Sequence, residues 1–156
     1  MGLFLSTTIN KIDKKGRISV PAPFRSYLAE ENFQGVVLFQ SYTQSAIEGV
    51  PMSVMDQMNN RIDSNFDMFS DNHDELSTVL FGDATPLAFD GDGRITLPQG
   101  YIDFAGLGDS AAFVGMGHKF QIWNPDKLKI RKEKALKAVR SKKITLPPES
   151  RQGDNG

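Results

Sequence analysis

The chain contains no cysteine, only two histidines and a single tryptophan. Without thiols it can form neither disulfides nor thiolate metal sites, and it suits a reducing compartment. No apolar run approaches the ~20 residues needed to cross a bilayer. The opening Met1-Gly2-Leu3-Phe4-Leu5 lacks the charged start and long apolar stretch of a signal peptide. These absences predict a soluble, intracellular protein with no membrane partner. No nucleophile stands with a paired base, and no glycine loop of phosphate-cradling type occurs. The expectation is therefore a protein without catalytic residues, cofactor or small-molecule substrate. Basic residues are also scarce in one long stretch: between 48 and 92 only Arg61 stands against ten acids.

What is present is a phrase used twice. Asp13-Lys-Lys-Gly16-Arg17-Ile18-Ser19-Val20-Pro21 returns 77 positions later as Asp90-Gly-Asp-Gly93-Arg94-Ile95-Thr96-Leu97-Pro98. Asp, Gly, Arg, Ile and Pro keep their offsets, Ser pairs with Thr, and Val pairs with Leu. An aromatic follows three residues after each proline, Phe24 in one copy and Tyr101 in the other. A match of this length predicts the same structural unit twice in the chain.

Each phrase has the grammar of a β-hairpin. Residues 6–12 read as a strand, Asp13 to Gly16 supply turn chemistry, and Arg17 to Val20 read as a second strand. Pro21 and Pro23 stop that strand and suit the first turn of a helix over about 23–30. Val36–Gln40 and Gln44–Glu48 read as two further strands. The second copy repeats the order through Leu87–Phe89, Arg94–Leu97, a helix at Tyr101–Ala105, and strands at Ala111–Met116 and Phe120–Trp123. Between the copies, Val54, Met58 and Ile62 mark a helix with Ser53 as candidate N-cap, and a second helix spans about 72–80 with Asp71 as its cap. After Pro125 the run 126–140 is helix-like, with an imperfect stripe of Leu128, Ala135, Leu136 and Val139, and the polar end to Gly156 reads as disordered.

The resulting division is repeat 1 at 5–50, a helical connector at 51–82, repeat 2 at 83–126, and a basic helical, then disordered, tail at 127–156. One repeat of ~45 residues buries too little surface to stand alone. Two of them pairing like a dimer fused in one chain can share a core, which predicts a mainly β, α+β fold: an interleaved barrel with pseudo-twofold symmetry. The net charge of −1 hides an uneven distribution. Lys11, Lys14, Lys15, Arg17 and Arg25 oppose only Asp13 in segment 11–25, and segment 127–143 holds nine bases against Glu133 alone.

Other constellations are weaker. Asp90-Gly-Asp92-Gly93 is too short for a calcium loop and lacks its bidentate glutamate. Asn72-His73-Asp74-Glu75 reads as a capped helix start rather than a metal site. His118 reads as a surface residue in a turn and Trp123 as core. No metal is expected.

Asp13-Lys-Lys-Gly-Arg-Ile-Ser-Val-Pro, continuing Ala22-Pro23-Phe24-Arg25, resembles the first motif of the MraZ transcriptional regulators. Asp90-Gly-Asp-Gly-Arg-Ile-Thr-Leu-Pro resembles their second. Leu80-Phe81-Gly82-Asp83-Ala84 and Phe113-Val-Gly-Met-Gly-His118-Lys-Phe-Gln-Ile-Trp123 are similar as well, so the resemblance spans roughly residues 3–126. It implies that each repeat is a SpoVT-AbrB-type unit and that the two form a double-split (swapped-hairpin) β-barrel. It further implies ring-shaped homo-oligomers that bind direct repeats in double-stranded DNA upstream of their own gene. There they act mainly as repressors of a division and cell-wall gene cluster, in the cytoplasm and nucleoid. The Asp-x-x-x-Arg motif of the family lies on its DNA-facing surface and maps here to Asp13 with Arg17 and Asp90 with Arg94. The sequence departs from the pattern at Pro23, where many members carry a basic residue, and at Gly91 and Asp92, which replace Lys14 and Lys15.

The residue types suit that role. An arginine fork matches a phosphate or the O6/N7 edge of guanine, whereas lysines at a hairpin tip serve as point charges for phosphates. The expected DNA-binding residues are Lys14, Lys15, Arg17, Arg25 and Arg94. Asp13 and Asp90 are expected to position the arginines, because a carboxylate facing phosphates is repelled. Gly16 and Gly93 are expected to permit the turns. One hairpin offers few phosphate contacts, and a ring multiplies them through effective concentration. The charge asymmetry predicts that the first tip leads. The alternative is an AbrB/MazE-like antitoxin that binds a partner toxin and its own operator; two repeats in one chain count against it, and the tail after 126 keeps it open.

Overall fold

The structure, a computed structural model, describes residues 2–149. The chain divides into one compact unit that runs to Pro125 and a second that begins at Asp126.

In the first unit, the elements are β1 (Thr7–Lys11), β2 (Arg17–Ser19), α1 (Ala22–Leu28), β3 (Gly35–Gln40) and β4 (Ile47–Val50). Then come α2 (Met52–Asn65), α3 (Asp71–Phe81), β5 (Thr85–Ala88), β6 (Arg94–Thr96), α4 (Gln99–Ala105), β7 (Ser110–Gly115) and β8 (Phe120–Trp123). The two sequence repeats thus give the same order of elements. The prolines act as expected: Pro21 and Pro98 leave β2 and β6 in extended conformation and cap α1 and α4.

Within each repeat only the last two strands pair with each other, β3 with β4 and β7 with β8, and the other pairings cross between the repeats. The antiparallel six-stranded sheet runs β1-β7-β8-β4-β3-β5, and β2 pairs with β6 in a separate two-stranded ribbon. β1 of the first repeat lies on β7 of the second, with Asn10 opposite Ala111. Reciprocally, β5 of the second repeat lies on β3 of the first, with Leu87 opposite Val36. The last strands of the two repeats, β4 and β8, meet at the middle of the sheet, with Glu48 opposite Gln121. The simple hairpin reading of each phrase needs correction. The turn closes through Asp13 N–H to Arg17 O at 3.0 Å and an isolated Ile12–Ile18 bridge, but the two strands then part and pair with the other repeat. The chain is α+β and its repeats interleave as expected. The six-stranded ladder ends at β1 and β5, so a closed barrel is not part of the observed hydrogen bonding. Pro86 is accommodated because β5 is an edge strand.

One core, shared by both repeats, lies beneath the β2–β6 ribbon. Ile18 and Ile95, opposite each other in β2 and β6, are each 1 % exposed. Phe4, Phe24, Phe113 and Phe120 pack around them with ring centroids 5.0–6.2 Å apart. Phe24 and Tyr101, the aromatics after the two prolines, both enter this core. Tyr101 directs its hydroxyl to the carbonyls of Asp83 (2.5 Å) and Leu38 (2.9 Å), and burial pushes its pKa above the usual value. The outer face of β3, Val37 and Phe39, packs with α2 and α3 through Met55, Ile62 and Leu80 in a second cluster.

Several boundaries differ from expectation. The strand placed at Gln44–Glu48 begins only at Ile47, because Ser41 Oγ accepts the amides of Thr43 and Gln44 and holds 41–46 in a turn. Ser53 is not a cap; Pro51 precedes α2, and the Ser53 amide and hydroxyl both donate to the Glu31 carboxylate at 3.0 Å. Asp71 is the first residue of α3, and Ser70 caps it by accepting the His73 amide. Lastly, α1 ends at Leu28, short of the expected 30.

The second unit is the body of a basic helix, α5 (Pro125–Ser141), with Ile130, Leu136 and Val139 half-exposed. After a turn at 142–143 no helix or strand follows to 149, and the expected disorder of 150–156 lies outside the described residues. Among the described residues no helix is long and apolar enough to cross a membrane.

Candidate nucleic-acid interface

The β2–β6 ribbon sorts its side chains by alternation. Ile18 and Ile95 point into the core, so Arg17, Ser19, Arg94 and Thr96 share the outward face. The register sets Arg17 opposite Thr96 and Ser19 opposite Arg94, which makes the two arginines diagonal neighbours on one surface. Sequence spacing places them 77 residues apart; pairing between repeats brings them onto a single ribbon.

Each arginine is held by its aspartate in the same way. Asp13 Oδ1 accepts the amides of Lys15 and Arg17 at 2.9 Å each, while Oδ2 accepts Arg17 Nε at 2.6 Å. Asp90 Oδ1 accepts the amides of Asp92 and Arg94 at 2.9 Å each, and Oδ2 accepts Arg94 Nε at 3.0 Å. In both cases the arginine's own backbone N–H bond is the main cause that holds the carboxyl below its ordinary pKa. A carboxylate satisfied by two amides and one guanidinium edge orients the side chain and leaves the guanidinium's far edge for a ligand.

The glycines close the turns with positive φ, +84° at Gly16 and +73° at Gly93. Their carbonyls anchor the tips to the other repeat: Gly16 O accepts Leu97 N–H at 2.8 Å, and Gly93 O accepts Val20 N–H at 3.2 Å.

Beyond that frame the tips part company. Lys14 and Lys15 are exposed at the first tip. At the second, Gly91 is open to space and Asp92 reaches Arg94 Nη2 at 3.2 Å, so this guanidinium is bracketed by two carboxylates. Arg25 lies beside the second turn. Its Nε donates to Val20 O at 3.0 Å, and its guanidinium lies against Gly93, where an added Cβ would come within 3 Å of it. The structure therefore brings Lys14, Lys15, Arg17 and Arg94 to one ribbon and its turns, and places Arg25 beside the second turn.

The rival sites resolve into structure. His73 Nε2 lies 2.9 Å from Asp63 Oδ1, and its amide is capped by Ser70. His118 is exposed and Trp123 is buried. Among the described residues no cluster of three metal-ligating side chains occurs. A feature that sequence reasoning missed is the polar chain at the centre of the sheet. Trp123 Nε1 donates to Gln121 Oε1 (2.8 Å), Gln121 Nε2 to Glu48 Oε1 (2.6 Å), and Lys119 Nζ to Glu48 Oε2 (2.7 Å). Glu48 and Gln121 are buried and occupy matching places in β4 and β8. No local signal announces this network, because its members meet only through strand register.

Comparison with known proteins finds relatives that span both phrases. A family model described as "MraZ protein, putative antitoxin-like" matches residues 3–45 and 80–145, which contain both phrases. The chain is 40 % identical over 147 residues to a protein of Rickettsia bellii (strain OSU 85-389) named "Transcriptional regulator MraZ", covering 94 % of this chain and 97 % of that one. Proteins of the same name from Rickettsia akari (strain Hartford) and Rickettsia rickettsii (strain Sheila Smith) are 38 % and 39 % identical over 146 residues, at the same coverage.

Proposed function

The chain belongs to the MraZ family, and on that premise we propose that it is a sequence-specific DNA-binding transcriptional regulator, without enzymatic activity. It binds direct repeats upstream of its own gene and mainly represses the division and cell-wall cluster that follows. It works in the cytoplasm at the nucleoid, as a ring-shaped homo-oligomer built on double-split barrel units. The two repeats (5–50 and 83–126), with the connector 51–82 between them, form the binding body, and the basic tail 127–156 follows.

The observation that supports this reading is the outward face of the β2–β6 ribbon. Two arginines stand side by side there, each oriented by its own aspartate and each presenting donors to solvent, with Lys14 and Lys15 beside the first. Arginine forks on a ribbon suit phosphate oxygens and base edges, and lysines at the tip add sequence-independent affinity. The antitoxin reading is not favoured, because the relatives carry the name of a transcriptional regulator and both repeats are built into one core.

The test is a footprint and mobility shift on duplex DNA from upstream of the gene. The expected result is protection of short direct repeats by the wild type and its loss in Arg17→Ala, with the circular dichroism spectrum and oligomeric mass unchanged. Equal affinity for scrambled duplex would overturn sequence specificity; no binding to any duplex would overturn the reading itself.

A further inference from the structure

The first and second tips have matching neighbours with opposite chemistry. Arg25 follows Pro21 by four residues, and Ile102 follows Pro98 by four. An added Cβ at Gly16 would meet Ile102 Cδ1 at 3.8 Å, whereas one at Gly93 would meet Arg25 Cδ, Nη1 and Cζ at 2.7–2.9 Å. The first tip is therefore backed by an aliphatic side chain and the second by a guanidinium donated from the other repeat. Its Nε donates to Val20 O, and Val20 N–H in turn donates to Gly93 O. On the loop of the second tip, Asp92 stands where Lys15 stands in the first and binds Arg94 Nη2 at 3.2 Å, with its own side chain 78 % exposed.

We propose that the second tip is a composite anion site, formed by Arg94 of one repeat and Arg25 of the other, that takes a backbone phosphodiester of DNA. Asp92 is its resident competitor. The proposal rests on the DNA-binding reading above and adds the site's composition and its control. Arg94 uses Nε for Asp90, so the edge left for a ligand carries Nη2, the atom that Asp92 occupies. An exposed ion pair of this kind contributes little and is screened by salt. A phosphate oxygen that faces two guanidinium groups displaces it readily, because charge-assisted bonds to phosphate are stronger and can be bidentate. The displaced carboxylate stays nearby and repels the phosphate, so the second tip grips DNA more weakly than its two arginines alone would allow. Nothing in the packing demands this arrangement: Gly91 faces open space and Asp92 is held only at the surface.

The test measures affinity for the upstream duplex by fluorescence anisotropy over a range of salt, for the wild type, Arg17→Ala, Arg25→Gln, Asp92→Asn and the double variant Arg25→Gln/Asp92→Asn. Asp92→Asn is expected to tighten binding roughly threefold to tenfold. Arg25→Gln is expected to weaken it and to reduce the salt slope by about one, the value for one phosphate contact. In the double variant, most of the gain from Asp92→Asn should disappear, a coupling that a purely structural Arg25 would not produce. Should Arg25→Gln compromise folding, as judged by its thermal melt, Asp92→Asn alone still decides, since its side chain lies at the surface. Unchanged affinity in Asp92→Asn, or additive effects in the double variant, with Arg17→Ala still deficient, would overturn the composite site and leave the DNA-binding reading standing. A wild type that binds no duplex sinks both. An NMR titration with inorganic phosphate that shifts the Arg25 and Arg94 Nε signals as far as DNA does would reassign the site to free anions.

Discussion

The two turns of this protein share one aspartate–arginine clamp and differ at their tips. Both have an aspartate that accepts two amides and an arginine Nε, a glycine at positive φ, and a carbonyl bonded across to the opposite repeat. The positions retained in both phrases are the ones those bonds use, together with the buried isoleucine and the helix-starting proline. The positions that diverge, Lys14 and Lys15 against Gly91 and Asp92, make no demand on the fold. Duplication here preserved the frame and released the surface. One tip became a cluster of exposed cations, and the other became an arginine guarded by carboxylates and supplemented from across the ribbon.

The largest expected effect sets the two arginines against each other. Arg17→Ala should cost roughly tenfold to a hundredfold in affinity for the upstream repeats, and Arg94→Ala less, since Asp92 already occupies part of its fork. A greater loss for Arg94→Ala in the same mobility shift would reverse the assignment of the leading tip. The glycines give the next contrast. Either one replaced by alanine places a side chain at positive φ, costing about 1–2 kcal/mol. At Gly16 the new Cβ would also lie 2.9 Å from the Leu97 carbonyl, which is backbone and cannot step aside, whereas at Gly93 it meets the movable end of Arg25. Thermal denaturation should therefore show Gly16→Ala as the less stable variant, and equal melting points would count against this account of the turns.

Lys14→Gln/Lys15→Gln should lower the salt slope of DNA binding by about two while sparing the preference for the repeats, as expected of phosphate contacts. A slope that stays put would show that those lysines do not touch the backbone. The smallest effect belongs to the aspartates. Asp13→Asn should weaken binding less than Arg17→Ala, because it loosens the arginine without removing it. Its acid dependence has a definite sign. The folded carboxyl titrates below its ordinary 3.8, so the clamp contributes stability above that value and loses it as pH falls through the folded pKa. The gap in melting temperature between the wild type and Asp13→Asn should begin to narrow as pH falls below 3.8 and close below the folded pKa; a gap that stays constant through that fall would mean the clamp is not electrostatic.

Much of this was legible in the chain because it depends on neighbours in sequence. An Asp-x-x-Gly-Arg turn needs only its own amides and a glycine free to take positive φ, and Pro21 and Pro98 start helices through their fixed φ. The repeat itself announced a shared core, and Ile18, Ile95, Phe24 and Tyr101 all enter it. Caps were less legible, since Ser70, Asp71, Pro51 and Ser53 are all acceptable near a helix start and only the path of the preceding chain selects among them. The place of Arg25 was not legible for a stronger reason. Its sequence neighbours are the first tip, but α1 carries it across the ribbon to Gly93.

By itself, then, the sequence determined the duplicated unit, its turns, the proline-led starts of α1 and α4, and its family. Each of these follows from interactions within a few residues or from a pattern repeated along the chain. Only the tertiary structure decided which strands pair, with β1 on β7, β5 on β3 and β2 on β6, and hence that Arg17 and Arg94 share one face. It also decided that Arg25 lies against the second turn and that Glu48, Gln121, Trp123 and Lys119 form one hydrogen-bonded chain. The physical reason is that strand register is fixed by long-range packing of both repeats at once. No segment encodes its partner, and a shift of one residue would turn each arginine from the solvent to the core.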